Sequence, residues 1–226
     1  MVGRTEHLDA TSGPTRGRRE RSMLDKQTRI FDAAAALFTE RGFDAVATLE
    51  IAERADVAVG TVFRYASSKA ELLLMVYNRE LRDAIDAGAR AAARHTDPVD
   101  AVDALAQAVL TASARNPANV VAYQRELLFG PVTEQYRAEG LALVDDLEHA
   151  IAARLVGAAR ADYARVLHEA QLGARTVFAA LSLHLAGPST GAHPETHPAG
   201  VLRGQIAQIV RGVLATIDAI ETPERD

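Results

Sequence analysis

The 226-residue chain is 48% hydrophobic and contains no cysteine, so it can bury a core but can form neither a disulfide nor a thiolate metal site. Its formal charge of −5 argues against nucleic-acid binding over the whole surface, yet the acid is uneven: residues 1–69 hold 11 Lys+Arg against 10 Asp+Glu, and the remainder 14 against 20. No apolar run approaches the roughly 18 residues of a membrane span, and residues 1–22 lack the apolar stretch of a secretory signal, which predicts a soluble, cytoplasmic protein with no membrane contact.

Residues 1–21 are polar and carry Arg16, Arg18, Arg19 and Arg21. They read as a disordered basic arm able to add phosphate or minor-groove contacts. Helix begins at Ser22, where Asp25 follows at capping distance. Ile30, Ala34, Leu37 and Phe38 keep helical spacing up to Gly42, which can end the helix in a left-handed conformation. Short helices follow at about 48–55 and 59–65. Ser68 and Glu71 form a capping box for a helix that can run to about His95. Asp97-Pro98 and Asn116-Pro117 each place a cap before a proline at the first helical position. Gly130-Pro131 breaks the chain again, and further helices are predicted near 133–156, 162–186 and 200–221, with a loop over 187–199. No strand pattern occurs. The fold class is all-α with about nine helices, divided into the arm (1–21), a helical unit at 22–68 and a larger one at 69–226.

Residues 48–66 carry the chemistry. Two short helices crossing at a tight turn need a small residue at the crossing, met by Ala52, and apolar anchors inside, met by Ile51, Val57 and Val62. Asp56 can take the positive φ of the turn. On the second helix Gly60, Thr61 and Arg64 project away from Val62 and Ala66, with Tyr65, Val59 and Phe63 on the flanks. Arg64 suits guanine O6/N7 or phosphate. Thr48, Thr61 and Tyr65 can donate to phosphates. Ser67, Ser68 and Lys69 stand at a helix N-terminus, where free N–H groups favour an anion. Together these form a helix-turn-helix that reads duplex DNA, with Thr48, Val59, Gly60, Thr61, Phe63, Arg64, Tyr65, Ser68 and Lys69 as its candidate DNA-binding residues.

The stretch from about Arg29 to Val76 resembles the TetR-family DNA-binding domain through Ile30-Phe31-x-Ala33-Ala34-x-x-Leu37-Phe38, Gly42-Phe43, Ile51-Ala52, Ala55-x-Val57, Gly60-Thr61-Val62-Phe63-Arg64-Tyr65 and Ser68-Lys69-x-x-Leu72-Leu73. The resemblance implies that Thr48, Thr61, Phe63, Arg64, Tyr65 and Lys69 face DNA. It also implies a C-terminal domain that binds a small molecule and dimerises through its last two long helices. Three positions depart from the family pattern. Asp56 stands where the family usually has Gly, Ala58 where a serine caps the recognition helix, and Ala66 where a bulky aromatic follows Tyr65. Leu72 or Leu73 is then expected to fill the space beside Ala66.

In the C-terminal part, Leu202, Ile206, Ile209, Val210, Val213, Ile217 and Ile220 form an apolar stripe. Leu172, Gly173, Ala174, Ala179 and Ala180 are compatible with close helix approach. The candidate dimer interface is Leu172, Ala179, Ile206, Ile209, Val210, Val213 and Ile217. Tyr123, Gln124, Glu126, Tyr136, His168, Gln171, Arg175 and Thr176 interrupt apolar helices and are the candidate ligand-binding residues; the few aromatics favour a largely apolar effector. His193 and His197 are four apart, but Pro194 and Pro198 break the helix a metal pair would need, so neither metal nor cofactor is expected. No nucleotide-binding or nucleophile motif occurs, which argues against an enzyme. The sequence therefore predicts a homodimer that binds an operator and is released from it by a small molecule. The alternative is a nucleoid-associated protein whose C-terminal domain holds a protein partner.

Overall fold

A computed structural model describes residues 14–131, 134–157, 163–190 and 198–222 of the chain. Nine helices and no strand are found among them: α1 (Pro14–Arg41), α2 (Thr48–Arg54), α3 (Val59–Val62), α4 (Lys69–Ala92), α5 (Pro98–Ser113), α6 (Pro117–Phe129), α7 (Gln135–Val156), α8 (Tyr163–Thr190) and α9 (Pro198–Glu221).

Two boundaries correct the sequence reading. α1 begins at Pro14 rather than Ser22, so residues 14–21 of the predicted arm are helical, while residues 1–13 lie outside the described residues. Proline is pre-set for a first helical turn, and the Arg/Glu-rich stretch behind it has good helix propensity. α8 continues to Thr190 and α9 begins at Pro198, so residues 187–190 and 198–199 of the predicted loop are helical; residues 191–197, with His193 and His197, lie outside the described residues.

Local chemistry accounts for the remaining ends. Gly42 takes φ 80° and its N–H donates to Phe38 O at 3.0 Å, closing α1. Ser68 Oγ accepts from Glu71 N at 3.0 Å, while the Glu71 carboxylate reaches back to Ser67 N rather than to Ser68 N. Asp97 and Asn116 cap α5 and α6 by accepting from Asp100 N and Asn119 N. α4 stops at Ala92, and Ala93–His95 form a turn.

Leu72 through Asn78 are all buried. A helix can bury seven consecutive residues only if neighbours surround it, so α4 is the central rod of the molecule. Its first turns share one core with α1–α3: Ile30, Phe38, Ile51, Val62, Leu72 and Leu73 pack in a cluster that also takes in Val120, Tyr123, Leu127 and Tyr136 from α6 and α7. Ala66 belongs to this cluster with Leu72 and Leu73, as its missing aromatic requires. A second core joins the far half of α4 to α5, α7, α8 and α9. Gly140 is needed where α7 crosses α4 and α6, because a Cβ there would stand 2.6 Å from Asn78 Oδ1 and 2.7 Å from Leu127 Cδ1.

Candidate functional site

The helix-turn-helix is held from behind by α1. Arg29 donates to Ala55 O at 3.1 Å and Asp56 O at 3.3 Å, fixing the turn in which Asp56 has φ 51°. Arg54 grips the Glu40 carboxylate with both terminal nitrogens at 2.6 and 2.7 Å, tying α2 to α1. This guanidinium holds the Glu40 carboxyl below its ordinary range. Glu50 accepts from Ala47 N at 2.7 Å, the half of a capping box that needs no side chain at Ala47.

α3 spans one turn, shorter than the predicted 59–65, and continues as turns through Tyr65. Its N-cap, Ala58, makes no side-chain hydrogen bond, as the absence of serine dictates. Val62 is fully buried, while Gly60, Phe63 and Arg64 are exposed, Phe63 at 48%. A Cβ added at Gly60 would meet nothing within 4 Å, so the backbone there is open to a partner's close approach. Val59, Thr61 and Thr48 are half-buried beside this face. Between Asp56 and Glu71 no acidic residue occurs, so an aromatic and a guanidinium project from a locally non-acidic surface.

Three predicted contact residues have their polar groups engaged inside the protein. The Lys69 ammonium donates to Phe43 O at 2.9 Å and Val46 O at 3.0 Å and lies 4.3 Å above the Phe43 ring. Carbonyl dipoles and a ring face converge on the charge, so it closes the α1–α2 turn. Ser68 Oγ donates to Glu134 at 3.2 Å besides capping α4. Tyr65 Oη donates to Met23 O at 3.0 Å.

Between α4, α5, α6, α7 and α8 lies a cavity with about 670 Å³ of empty space, part of it open to solvent. Leu81, Val109, Val120, Leu147, Phe178 and Leu181 give it apolar walls, and Glu80, Gln124 and Ser182 interrupt them. Tyr123 and Gln124 are the predicted ligand residues that line it. The other six do not. Glu126 pairs with Arg125. Tyr136 is buried in the first core, its backbone held by Asn78 and Glu71. His168, Gln171, Arg175 and Thr176 sit on the N-terminal half of α8, where His168, Arg175 and Thr176 face outward. The helical period, counted without knowing which face of α8 meets α7 and α9, could not separate these from the lining.

The residues that connect the cavity to the helix-turn-helix were missed. Asn119 is 1% exposed; its Oδ1 accepts from Phe43 N at 2.7 Å and its Nδ2 donates to Phe38 O at 2.8 Å. Burial pushes the pKa of Tyr77, part of the cavity wall, up to about 12, with the Asn119 side chain opposing the rise. Tyr123 donates to Asn78 Oδ1 at 2.8 Å, and Asn78 Nδ2 donates to Tyr136 O at 2.7 Å. Desolvation raises the Tyr123 pKa as well, so both phenols stay protonated at neutral pH. The available signal was an asparagine closing the apolar run Leu72-Leu73-Leu74-Met75-Val76-Tyr77.

A sequence profile described as "Bacterial regulatory proteins, tetR family" matches residues 30–76, the stretch that builds α2, α3 and their supports. Residues 30–76 thus carry a TetR-family DNA-binding domain. Over 106 residues it is 38% identical to the HTH-type transcriptional repressor KstR of Mycolicibacterium smegmatis, an alignment covering 46% of this chain and 52% of that protein. An HTH-type transcriptional activator, FasR of the same organism, is 36% identical over 86 residues, 37% of this chain and 39% of that protein. The chain thus spans about half the length of the curated KstR relatives it matches. Among solved structures, a TetR transcriptional regulator from Rhodococcus sp. RHA1 superposes with a TM-score of 0.64 at 19% identity, over 83% of this chain and 97% of that one. FadR of Bacillus subtilis, solved in complex with stearoyl-CoA, does so at 0.59 and 14% identity, over 82% and 98%. These likenesses extend the TetR-like all-α fold beyond the helix-turn-helix.

The predicted dimer residues divide. Ile206, Val210 and Ile217 are buried within the protomer, the first two completely, so they serve its own core and not a partner. Ile209 and Val213 are half-buried against that core. A Cβ at Gly173 would stand 2.6 Å from Val213 Cγ2, so the small residues of α8 serve packing against α9. Leu172 (43%) and Ala179 are exposed, and Thr176 and Leu183 (56%) continue their stripe along α8. No cluster of metal-ligating side chains occurs among the described residues, and none of the described helices is long and apolar enough to cross a membrane.

Proposed function

We propose that the chain acts as a homodimeric transcriptional repressor that leaves its double-stranded operator when a small, largely apolar effector fills the α4–α8 cavity. In this reading residues 22–68 read DNA and residues 69–226 bind the effector and dimerise, in the cytoplasm at the nucleoid, without catalysis. Gly60, Phe63 and Arg64 enter the major groove, with Thr48, Val59, Thr61 and Tyr65 at its edge. One short helix reads only a few base pairs, so two half-sites about 34–36 Å apart are required. The exposed α8 stripe, Leu172, Thr176, Ala179 and Leu183, pairs the protomers.

The observation that carries the effector role is the path from the cavity to the reading head. Tyr77 and Tyr123 line the cavity, and the Tyr123 hydroxyl donates to Asn78 at the end of the buried run of α4. Asn119, on the same helix as Tyr123, holds Phe38 O and Phe43 N at the C-terminal end of α1, which supports α2. A ligand pressing on either ring moves the support of α2 and α3. About 2.7 kcal/mol of preference for the displaced arrangement lowers operator affinity roughly a hundredfold. The KstR relatives are repressors by name, and FadR was solved with an acyl thioester; both support this reading.

Ala112→Phe tests it. A phenyl ring set into the cavity wall mimics an occupant. The expected result is a folded dimer with operator affinity reduced at least about tenfold by fluorescence anisotropy. Unchanged affinity in a folded variant contradicts the release mechanism.

A further inference from the structure

We infer that the cavity selects an apolar molecule whose polar end donates a hydrogen bond, an aliphatic or alicyclic alcohol or amine, and discriminates against one that carries a carboxylate into it. This rests on the cavity being the effector site and names the class of molecule it takes.

Three of the wall's donors are already engaged. Tyr123 Oη donates to Asn78, Gln124 Nε2 donates to Ser182 O at 3.2 Å, and Ser113 Oγ donates to Val109 O at 2.8 Å. No Lys, Arg or His is among the described lining residues. The one charged group among the described lining residues is therefore the Glu80 carboxyl. This half-buried carboxyl has no hydrogen-bond or ion-pair partner among the described residues; Arg115 and Asp83 act on it only through space. Beside it in the wall, the buried Ser182 hydroxyl also has no partner.

An acceptor without a donor in apolar surroundings is costly, and a ligand N–H or O–H relieves that cost. A carboxylate brought to the same place meets another acid, and one of the two must take up a proton before both can stay. An ammonium end completes an ion pair with Glu80, whereas a hydroxyl end donates to it as a neutral group.

The test is displacement of pyrene fluorescence from the purified full-length dimer at neutral pH by decanol, decylamine and decanoate, which share one tail. Decanol and decylamine are expected to displace pyrene, and decanoate to do so at least about tenfold more weakly. Decylamine ahead of decanol identifies recognition of a cation; the reverse order identifies a neutral donor. In folded Glu80→Gln the gap between decylamine and decanoate is expected to shrink about tenfold.

Decanoate binding as tightly as decanol overturns the inference. So does an unchanged gap in the folded variant, or a failure of both the alcohol and the amine to displace pyrene. The same ligands are then added to protein bound to operator fragments recovered by selection. If decanol binds and the complex survives, the release reading fails while the ligand class stands. If decanoate binds equally well and releases the DNA, the class fails and the release reading stands.

Discussion

The Lys69 ammonium lies among the carbonyls of Phe43 and Val46 and over the Phe43 ring, whereas Arg64 extends from α3 into solvent. Two cations five residues apart in sequence thus do different work. Lys69→Met is expected to cost about 1–3 kcal/mol of stability, read by urea denaturation, because three groups lose a charged partner. Its salt dependence of DNA binding stays that of the wild type, while Arg64→Ala flattens that dependence by about one ion where Arg64 meets phosphate. A flattened slope in Lys69→Met would show that its charge leaves the turn for DNA. Glu80 gives a second test at this scale. Burial raises its pKa, Asp83 adds to the rise and Arg115 opposes it. A carboxyl whose pKa is higher folded than unfolded burdens the native state above that pKa, and not below the unfolded value. Glu80→Gln is therefore expected to melt above wild type at neutral pH, with the difference vanishing as pH falls to the ordinary carboxylate range. Equal melting at neutral pH contradicts the burial. The turn role of Asp56 and the capping roles of Ser68, Asp97 and Asn116 were legible because they depend on neighbours a few residues away. Asn78 and Asn119 were not, because their partners lie 45 to 81 residues distant.

At the scale of elements, capping and punctuation located most helix ends, since proline, glycine and N-cap side chains act within one turn. Two exceptions have a local cause. α1 reaches back to Pro14, where propensity outweighs the polar composition that suggested an arm. α3 is a single turn because Ala58 offers its free N–H groups no acceptor. Ala58→Ser is expected to stabilise the protein by about 1 kcal/mol in thermal denaturation. If the reading helix is ordered before DNA arrives, operator affinity rises with it. A serine variant no more stable than wild type would mean that α3 is held by Val62 packing alone. Part of the α9 stripe was misassigned for a different reason, and the α8 stripe was read incompletely. Both helices are apolar over more than one stripe, and periodicity does not say which stripe meets the protomer's own core. Ile206 and Val210 proved internal, and Leu183, outside the predicted set, proved exposed.

For the whole molecule, the hydrophobic core does not respect the division at residue 68/69. Leu72, Leu73, Tyr123 and Tyr136 share a cluster with Ile30, Phe38 and Val62, so reading head and cavity are packed together and motion in one is felt in the other. The all-α class, the helix count and the helix-turn-helix could be read from pattern, whereas this continuity arises only when α6 folds back onto α1. The most direct test of the central claim is a protection footprint on a genomic operator fragment. The account predicts two protected half-sites with centres about 34–36 Å apart, present with wild type and absent with Arg64→Ala. A single protected site, uniform coverage, or a footprint that survives Arg64→Ala unchanged would contradict it.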